Sequence, residues 1–513
     1  MPPTPRPVGL SRRGFLGATA VTLAATACAP STGGGSAPST GGRLRAAFAG
    51  GGAQEVLDPH QVSLFVDAAR AKALYDKLAD QGSDMAVVPR LAESWEPGPD
   101  LTTWRVRLRE ATFHDGSPVR AADVLYSYAR ILDPEQGHRA KSDLAPIDIE
   151  ASHAVDERTI EFVLHHPFAE FSNILAAFGA YIVPEGATQF DTPVGSGPFS
   201  FVSFEPGRNF VVRRFDDYWE GAPRLDELEI VVSNEESARI NALLGGQVDY
   251  AHDISATTAR AQQGEDSVNL VSSPNSNMMG FAMKLDRPPF DDLRVRQAMF
   301  ALCDRRELVD TVLSGEGSVG NDLFGKGFKY YAADIAQRER DLDTARRLLR
   351  EAGAENLPVT LETADVAAGF PEAASVFADQ MRAAGIDATV NQRNPDTYWA
   401  DTLDGGHLSV NRSGAMPIGS HISQRLLSDS PTNVTKWQRE EFDALYTKLQ
   451  STADETERAG YYERMQRQLH EEGGYLIWGF ANWIVATGAQ VRGVEQAPAN
   501  TLDWARFDKV WLE

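Results

Sequence analysis

The chain has 513 residues, 42% of them hydrophobic and 24% charged, and a formal net charge of −23. That length and composition fit two or three packed lobes of a globular protein. So acidic a body is repelled by nucleic acid and by anionic lipid, which argues against both as partners, and 2 cysteines are too few for a disulfide framework.

The first 28 residues read as an export signal. Ser11-Arg12-Arg13-Gly14-Phe15-Leu16 carries twin arginines, Arg6 adds charge, and no acid occurs before Cys28. The apolar stretch from Phe15 to Ala27 is about 13 residues long, where a spanning helix needs about 20. A signal is therefore favoured over a transmembrane anchor. Ala25-Thr26-Ala27-Cys28 reads as a lipoprotein cleavage box, with Ala25 in the place more often held by leucine. The expectation is lipidation of Cys28 and a tether to the outer face of the cell membrane, in a periplasm or at a cell surface. Without the lipid the protein is secreted. Residues 1–27 are then signal and residues 28–42 a linker, because Ala29 to Gly42 contains only Ala, Pro, Ser, Thr and Gly.

From Arg43 onward short strands alternate with amphipathic helices. Trp104 to Leu108 alternates apolar and charged residues, as a half-buried strand does. His114-Asp115-Gly116 is a turn, and Ser117-Pro118 is expected to open a helix through Arg130. Val295, Ala298, Met299 and Leu302 lie on one helical face. Ala345, Leu348, Leu349 and Ala352 repeat that spacing, with Gly353 as a cap. Pro371 to Ala384 reads as a helix closed by Gly385, and Ile386 to Val390 as the next strand. The alternation predicts α/β lobes with mixed sheets. No internal repeat and no second linker interrupts them.

No catalytic constellation emerges. Gly315-Glu316-Gly317-Ser318-Val319-Gly320 fits G-x-G-x-x-G but follows a helix, where a dinucleotide site needs a strand. Gly327 stands where a P-loop needs Ser or Thr. Gly195-Ser196-Gly197-Pro198 lacks the spacing of a nucleophile elbow. Histidines are scattered, no zinc motif occurs, and Cys303 sits on an apolar helix as a core residue. The reading is a binding protein, not an enzyme, with no cofactor and no metal. An exported hydrolase is the alternative of a different class.

Several long stretches then resemble one family. Leu74-Tyr75-Asp76-Lys77-Leu78, Leu91-Ala92-Glu93-Ser94-Trp95-Glu96, Phe113 to Val124, Val194-Gly195-Ser196-Gly197-Pro198-Phe199, Asp217-Tyr218-Trp219 and Pro289 to Ala298 are similar, in order, to the family 5 extracellular solute-binding proteins. These are the dipeptide, oligopeptide and nickel receptors of ABC importers. The resemblance implies a two-lobed, type II periplasmic-binding-protein-like cleft with an extra domain on the N-terminal lobe. Carried over, lobe I is 43–85 plus 182–271 plus 485–513, the extra domain 86–181, and lobe II 272–484. The hinge would lie at Ser272 to Asn277 and Phe480 to Ile484. The implied partners are a small-molecule or peptide ligand and the permease's transmembrane subunits, and the implied state is a monomer. The motifs themselves read as turns and packing anchors.

The ligand is where the chain departs from its relatives. Peptide-binding members carry an acid for the peptide's α-ammonium where this chain has Met416, and a tryptophan where it has Ser413. An ammonium buried without a partner costs several kcal/mol, so ordinary free-amino peptides in the usual pose are not expected. Arg412 suits an anionic or sugar-like group, or else is merely exposed. The resemblance further points to Ser63, Phe65 and Val66 on lobe I, Asn277 at the hinge, and Tyr398 and Trp399 before the Arg412 loop. Trp478 and Phe480, alternating on one strand face, and Trp483 complete the set. Each aromatic is either a ligand-stacking surface or core. A small peptide or peptide-like solute is the first expectation; an oligosaccharide, opine or metal chelate is the second.

Overall fold

Residues 38–513 are described by the computed structural model. The Ser11–Leu16 motif, Cys28 and the linker up to residue 37 lie outside the described residues. Among the described residues no helix is long and apolar enough to cross a membrane.

Two long strands organise the molecule. The first hinge strand, Val268–Met283, and the second, Tyr475–Gly488, pair antiparallel over nearly their whole lengths. At about 3.3 Å per residue each is long enough to run from one lobe into the other. They lie at the centre of a sheet that continues on both sides. On one side come the strands Tyr250–Ala251, Arg43–Phe48, Glu227–Val232, Asn209–Arg214 and Phe199–Glu205. On the other come Leu408–Gly414, Pro358–Thr363 and Asp387–Gln392. Leu44, Ala46 and Phe48 on one face and Ala47 on the other are buried in a strand that runs parallel beside Leu228, Ile230 and Val232, as befits a strand covered on both faces. The pairing breaks where the lobes meet. Ser273 faces Trp483 and Asn277 faces Ala481, so three residues oppose one. Pro274 cannot donate there and Asn275 takes a left-handed φ of 57°.

A separate four-stranded antiparallel sheet, Ala92–Pro97, Thr103–Leu108, Thr159–Leu164 and Ile147–Asp156, has its own core of Trp104, Val106, Leu108, Phe162 and Phe171. Trp104, Val106 and Leu108 are buried and Arg105 and Arg107 exposed, the alternation expected. The helix beside it starts at Ala121, not at Ser117. Asp115 Oδ1 holds Ser117 N at 2.9 Å in a turn, and the Asp123 carboxylate accepts from Arg120 N, so the first helical turn forms later. Val295, Ala298, Met299 and Leu302 are all buried on one helical face, and Gly353 ends its helix at φ 67°. The 315–320 glycine motif ends the Arg305–Val312 helix and becomes the strand Gly317–Val319, added to the second hinge strand. A Cβ at Gly320 would lie 2.3 Å from Ile477 O, so close backbone approach, not nucleotide binding, explains that glycine. Cys303 is buried, and burial pushes its thiol up to about 12.

The family-like motifs meet at one junction. Asp76 accepts from Tyr218 OH at 3.1 Å, Trp219 Nε1 at 3.0 Å, Ser196 Oγ at 3.4 Å and Arg90 Nη2 at 3.5 Å. Arg90 also bonds Tyr218 OH and pairs with Glu220. A Cβ on Gly195 would sit 1.9 Å from Leu74 O, and one on Gly197 2.5 Å from Leu74 C. His114 closes the network, its Nε2 on Gly197 O at 3.0 Å and its Nδ1 accepting from Gly195 N at 3.2 Å. Motifs spread from residue 74 to 219 thus stitch the small sheet to the strands around Arg43–Phe48.

Candidate functional site

Strand direction locates the cleft. Tyr250–Ala251 runs parallel to Arg43–Phe48, which runs parallel to Glu227–Val232. Against the second hinge strand, Tyr250 faces Thr487, Ala251 faces Ala486 and Ile254 N bonds Ile484 O. These carboxyl ends therefore point towards the crossover at residues 481–483. On the far side, Leu408–Gly414 runs parallel to Pro358–Thr363 and antiparallel to the first hinge strand, Leu408 facing Met283 and Gly414 facing Asn277. Its carboxyl end also points at the crossover. Ligands of open α/β sheets bind outside the carboxyl ends of parallel strands, and here two such sets face one another across a pair of connecting strands.

The lobe I wall is built on Arg239. Its guanidinium donates to Ser233 O, Asn234 O, His252 O and Asp253 O, all between 2.9 and 3.0 Å. It thereby fixes the two loops that leave Glu227–Val232 and Tyr250–Ala251. Asp253 takes a left-handed φ of 55° and is exposed. Burial of its surroundings raises the carboxyl above its usual range, against the pull of Arg239 and Arg412. Beside it Phe65, half-buried, packs on Trp483 at 4.8 Å and on His252 at 5.5 Å. His252 is buried, which holds its ring neutral, and its Nε2 has no partner. Ser63 is exposed and donates to Asp67, whose carboxylate also accepts from Leu64 N at the start of the Phe65–Leu74 helix.

The lobe II wall carries Arg412, exposed, near the end of Leu408–Gly414, followed by half-buried Ala415 and Met416. Trp399 is 45% exposed and stands edge-on to Phe370 and Tyr398. Asn277, half-buried, sits between Gly414 and Ala481 at the crossover. Ser413 is buried and its Oγ bonds Gly414 O.

Four of the expected contact residues are core. Val66 is fully buried in lobe I. Tyr398 is fully buried, and its hydroxyl donates to Val410 O at 2.7 Å. Trp478 and Phe480 do not share a face as strand alternation predicted: Trp478 joins the cluster around Phe281 and Phe377, Phe480 the one around Met278 and Ile477. The cause is a bulge. Met279 faces Gly479 and Gly280 faces Ile477, which leaves Trp478 as the extra residue and reverses the alternation. Trp483 is a fifth core residue, buried in the lobe I cluster; Phe65, Asn277 and Met416 are half-buried and Trp399 and Arg412 exposed. Asp253 and Arg239 were not expected; the signal for Asp253 is an acid two residues past a short buried strand.

A second cavity of about 390 Å³ lies between the small sheet and lobe II, lined by Trp95, Trp104, Glu170, Tyr330 and Tyr462 among others. Tyr462 OH donates to the buried Glu170 carboxylate, Ala169 N donates to Gln450 O at 2.7 Å and Lys329 N to Asp84 O at 2.8 Å. These bonds join the two sides away from the hinge strands.

Two lobes, two connecting strands and facing carboxyl-end loops define a type II periplasmic-binding-protein fold. The sequence pattern of the bacterial extracellular solute-binding proteins, family 5 (middle region), matches residues 86–431, and the chain belongs to that family. It is 26% identical to a di/tripeptide-binding protein 2 of Pseudomonas aeruginosa, over 88% of this chain and 93% of that one. Among solved structures it superposes on the ABC transporter substrate-binding protein CtaP of Listeria monocytogenes with a TM-score of 0.82 at 24% identity, over 92% and 99% of the two chains. A binding protein from A. tumefaciens R10, AgaA, solved with agropinic acid, matches with a TM-score of 0.74 at 26% identity, over 92% and 99%. The family consists of substrate-binding proteins.

Proposed function

We propose that this protein is the substrate-binding lipoprotein of an ABC importer. It captures a small peptide or peptide-like solute between its lobes and delivers it to the permease's transmembrane subunits. The observation that carries the reading is the pair of hinge strands with strand ends facing each other across one crossover, in a chain of this family. Closure concentrates the backbone change in the few residues at 273–277 and 481–483. Phe65, Asn277, Trp399, Arg412 and Met416 form the contact surface in this reading. Export by the twin-arginine route and a lipid on Cys28 hold a monomer at the outer face of the membrane.

A second reading keeps the receptor and changes the ligand to an opine, oligosaccharide or metal chelate. Met416 favours it, since no acid stands in that loop, and so does the agropinic acid complex of AgaA. The test is thermal unfolding of residues 39–513, refolded to remove carried ligand, against free peptides, N-blocked peptides, oligosaccharides, opines and chelates. A ligand at 100 times its Kd adds about 2.7 kcal/mol. Peptides that shift the midpoint support the first reading; an opine, sugar or chelate acting alone supports the second. Turnover of any of these compounds would overturn both.

A further inference from the structure

Two opposite charges stand on the two walls of the cleft with nothing to bind. Arg412 comes from lobe II, two residues before the end of its strand, at the level of Met279 and Gly479. Asp253 comes from lobe I, at the level of Ile484. Counted along the second hinge strand they flank the crossover, and their strands point at each other. Both are exposed. Among the described residues the Arg412 guanidinium makes no hydrogen bond or ion pair, and neither does the Asp253 carboxylate. Asp253 is nevertheless fixed, because Arg239 holds its carbonyl and that of His252. Arg239 itself is occupied by four carbonyls and is not free to pair with the acid's side chain. Each favours the other's charged form, against the desolvation both meet at the cleft. On the lobe II strand ends Arg393, by contrast, is paired with Glu362. Placed and unpaired charges of opposite sign on facing walls are what a ligand with one cationic and one anionic end needs.

We infer that the cleft takes a zwitterionic solute whose ammonium is held by Asp253 of lobe I and whose carboxylate is held by Arg412 of lobe II. This rests on the receptor reading above and deepens it. The ligand itself bridges the lobes, so it binds the closed arrangement better than the open one. Half-buried Phe65 and exposed Trp399 supply apolar surface for the part between the charged ends. The pose differs from one in which a single lobe holds the ammonium, and it needs no acid at Met416.

The test is calorimetric titration with alanyl-phenylalanine, its N-acetyl form, its C-terminal amide and the doubly blocked compound, and with the N-carboxyalkyl amino acid octopine as a second zwitterion. Parent protein is compared with Asp253→Asn and Arg412→Gln, whose exposed positions leave the unliganded melting midpoint unchanged. A zwitterion is expected to bind at least tenfold more tightly than any blocked form, from charge-assisted bonds of about 1.5–3 kcal/mol each. Acetylation is expected to cost parent protein tenfold and Asp253→Asn nothing further; amidation and Arg412→Gln form the matching pair. Blocked and free compounds binding alike would sink this inference and leave the receptor reading intact. Tighter binding in either variant would also sink it, by making the two charges a direct lobe-to-lobe pair. No heat from any compound would sink this inference and leave the receptor reading to the oligosaccharides and chelates of the melting panel.

Discussion

Replacing Asp76 by alanine tests whether the family-like motifs hold the fold or the ligand. Asp76 is buried and accepts from Tyr218, Trp219, Ser196 and Arg90. Trp219 is itself held between Arg90 and Arg109, whose guanidinium carbons lie 4.6 and 4.1 Å from its ring. In the alanine variant Tyr218 keeps Arg90, and Arg90 keeps Glu220, but Trp219 Nε1 loses its acceptor. Breaking a buried, multiply bonded charge on one side costs about 3–5 kcal/mol. For a cooperative unit of 150–250 residues each kcal/mol moves the midpoint by about 2–4 °C, so a fall of about 6–20 °C is expected. Asp76→Asn recovers only part, since an amide nitrogen at either oxygen position would face a donor, Tyr218 OH or Trp219 Nε1. A cycle with Trp219→Phe should show coupling of about 1.5–3 kcal/mol. Thermal melts followed by circular dichroism give the stability, and calorimetry with a ligand found in the panel gives the affinity. The reasoning is refuted if Asp76→Ala melts within 2 °C of the parent, or if its melt is unchanged while ligand binding is lost.

His114 and His60 make stability pH-dependent. Burial first lowers both, from 6.5 to about 4, and each ring is fully used as the neutral form. The unfolded chain therefore takes up these protons first, and stability falls as pH drops from about 6.5 to about 4, by up to 1.36 kcal/mol per pH unit for each proton. His114→Gln should remove one proton's worth of that slope in denaturant titrations at pH 7, 6 and 5; an unchanged slope counts against the assignment. Gly197→Ala should yield insoluble or strongly destabilised protein, because its Cβ would meet the Leu74–Tyr75 backbone at 2.5–2.6 Å, whereas Gly116→Ala, with open space around it but a φ of 84°, should cost only about 1 kcal/mol. Tyr462→Phe removes the donor to Glu170. It should leave that carboxyl less anionic at neutral pH and raise the radius of gyration of the unliganded protein in solution scattering if the bond restrains the lobes.

The general architecture was legible in the residues because it depends on local rules. Trp104 to Leu108 is a strand by alternation, and Val295 to Leu302 a helix face by spacing, and both stand in the structure. The start of the helix after Ser117-Pro118 was not legible by residue type, because Asp115 takes Ser117 N into a turn while Asp123 takes Arg120 N and sets the helix start three residues later. Trp478 and Phe480 failed for a deeper reason. Alternation assumes an unbroken ladder, and the bulge at Trp478 is set by pairing with Met279 and Gly280, two hundred residues away. Family likeness placed Phe65 on lobe I and Trp483 beside the second hinge, but their contact with His252 joins three distant segments, and no periodicity announces that.

The same distance rule explains why a binding cleft hides in sequence while its scaffold does not. Closure by a ligand requires that the closed state bind it more tightly than the open one; equal affinity for both shifts nothing. A site held entirely by one lobe meets its ligand equally in both states and transmits little to a permease. The decisive contacts must therefore be divided between lobes, and so between chain segments as far apart as Asp253 and Arg412. Each looks unremarkable alone, an acid after a short strand and an arginine near the end of another. Their meaning comes from the two hinge strands, whose antiparallel pairing turns both sets of carboxyl ends to the same crossover. Moving from a ratio of 1:99 to 99:1 needs about 5.5 kcal/mol of preference. Two charge-assisted anchors of about 1.5–3 kcal/mol each, made together only when the lobes close, come to that size. Removing either one alone should leave a protein that still binds and no longer closes fully, a difference that scattering on the liganded Asp253→Asn protein reads directly.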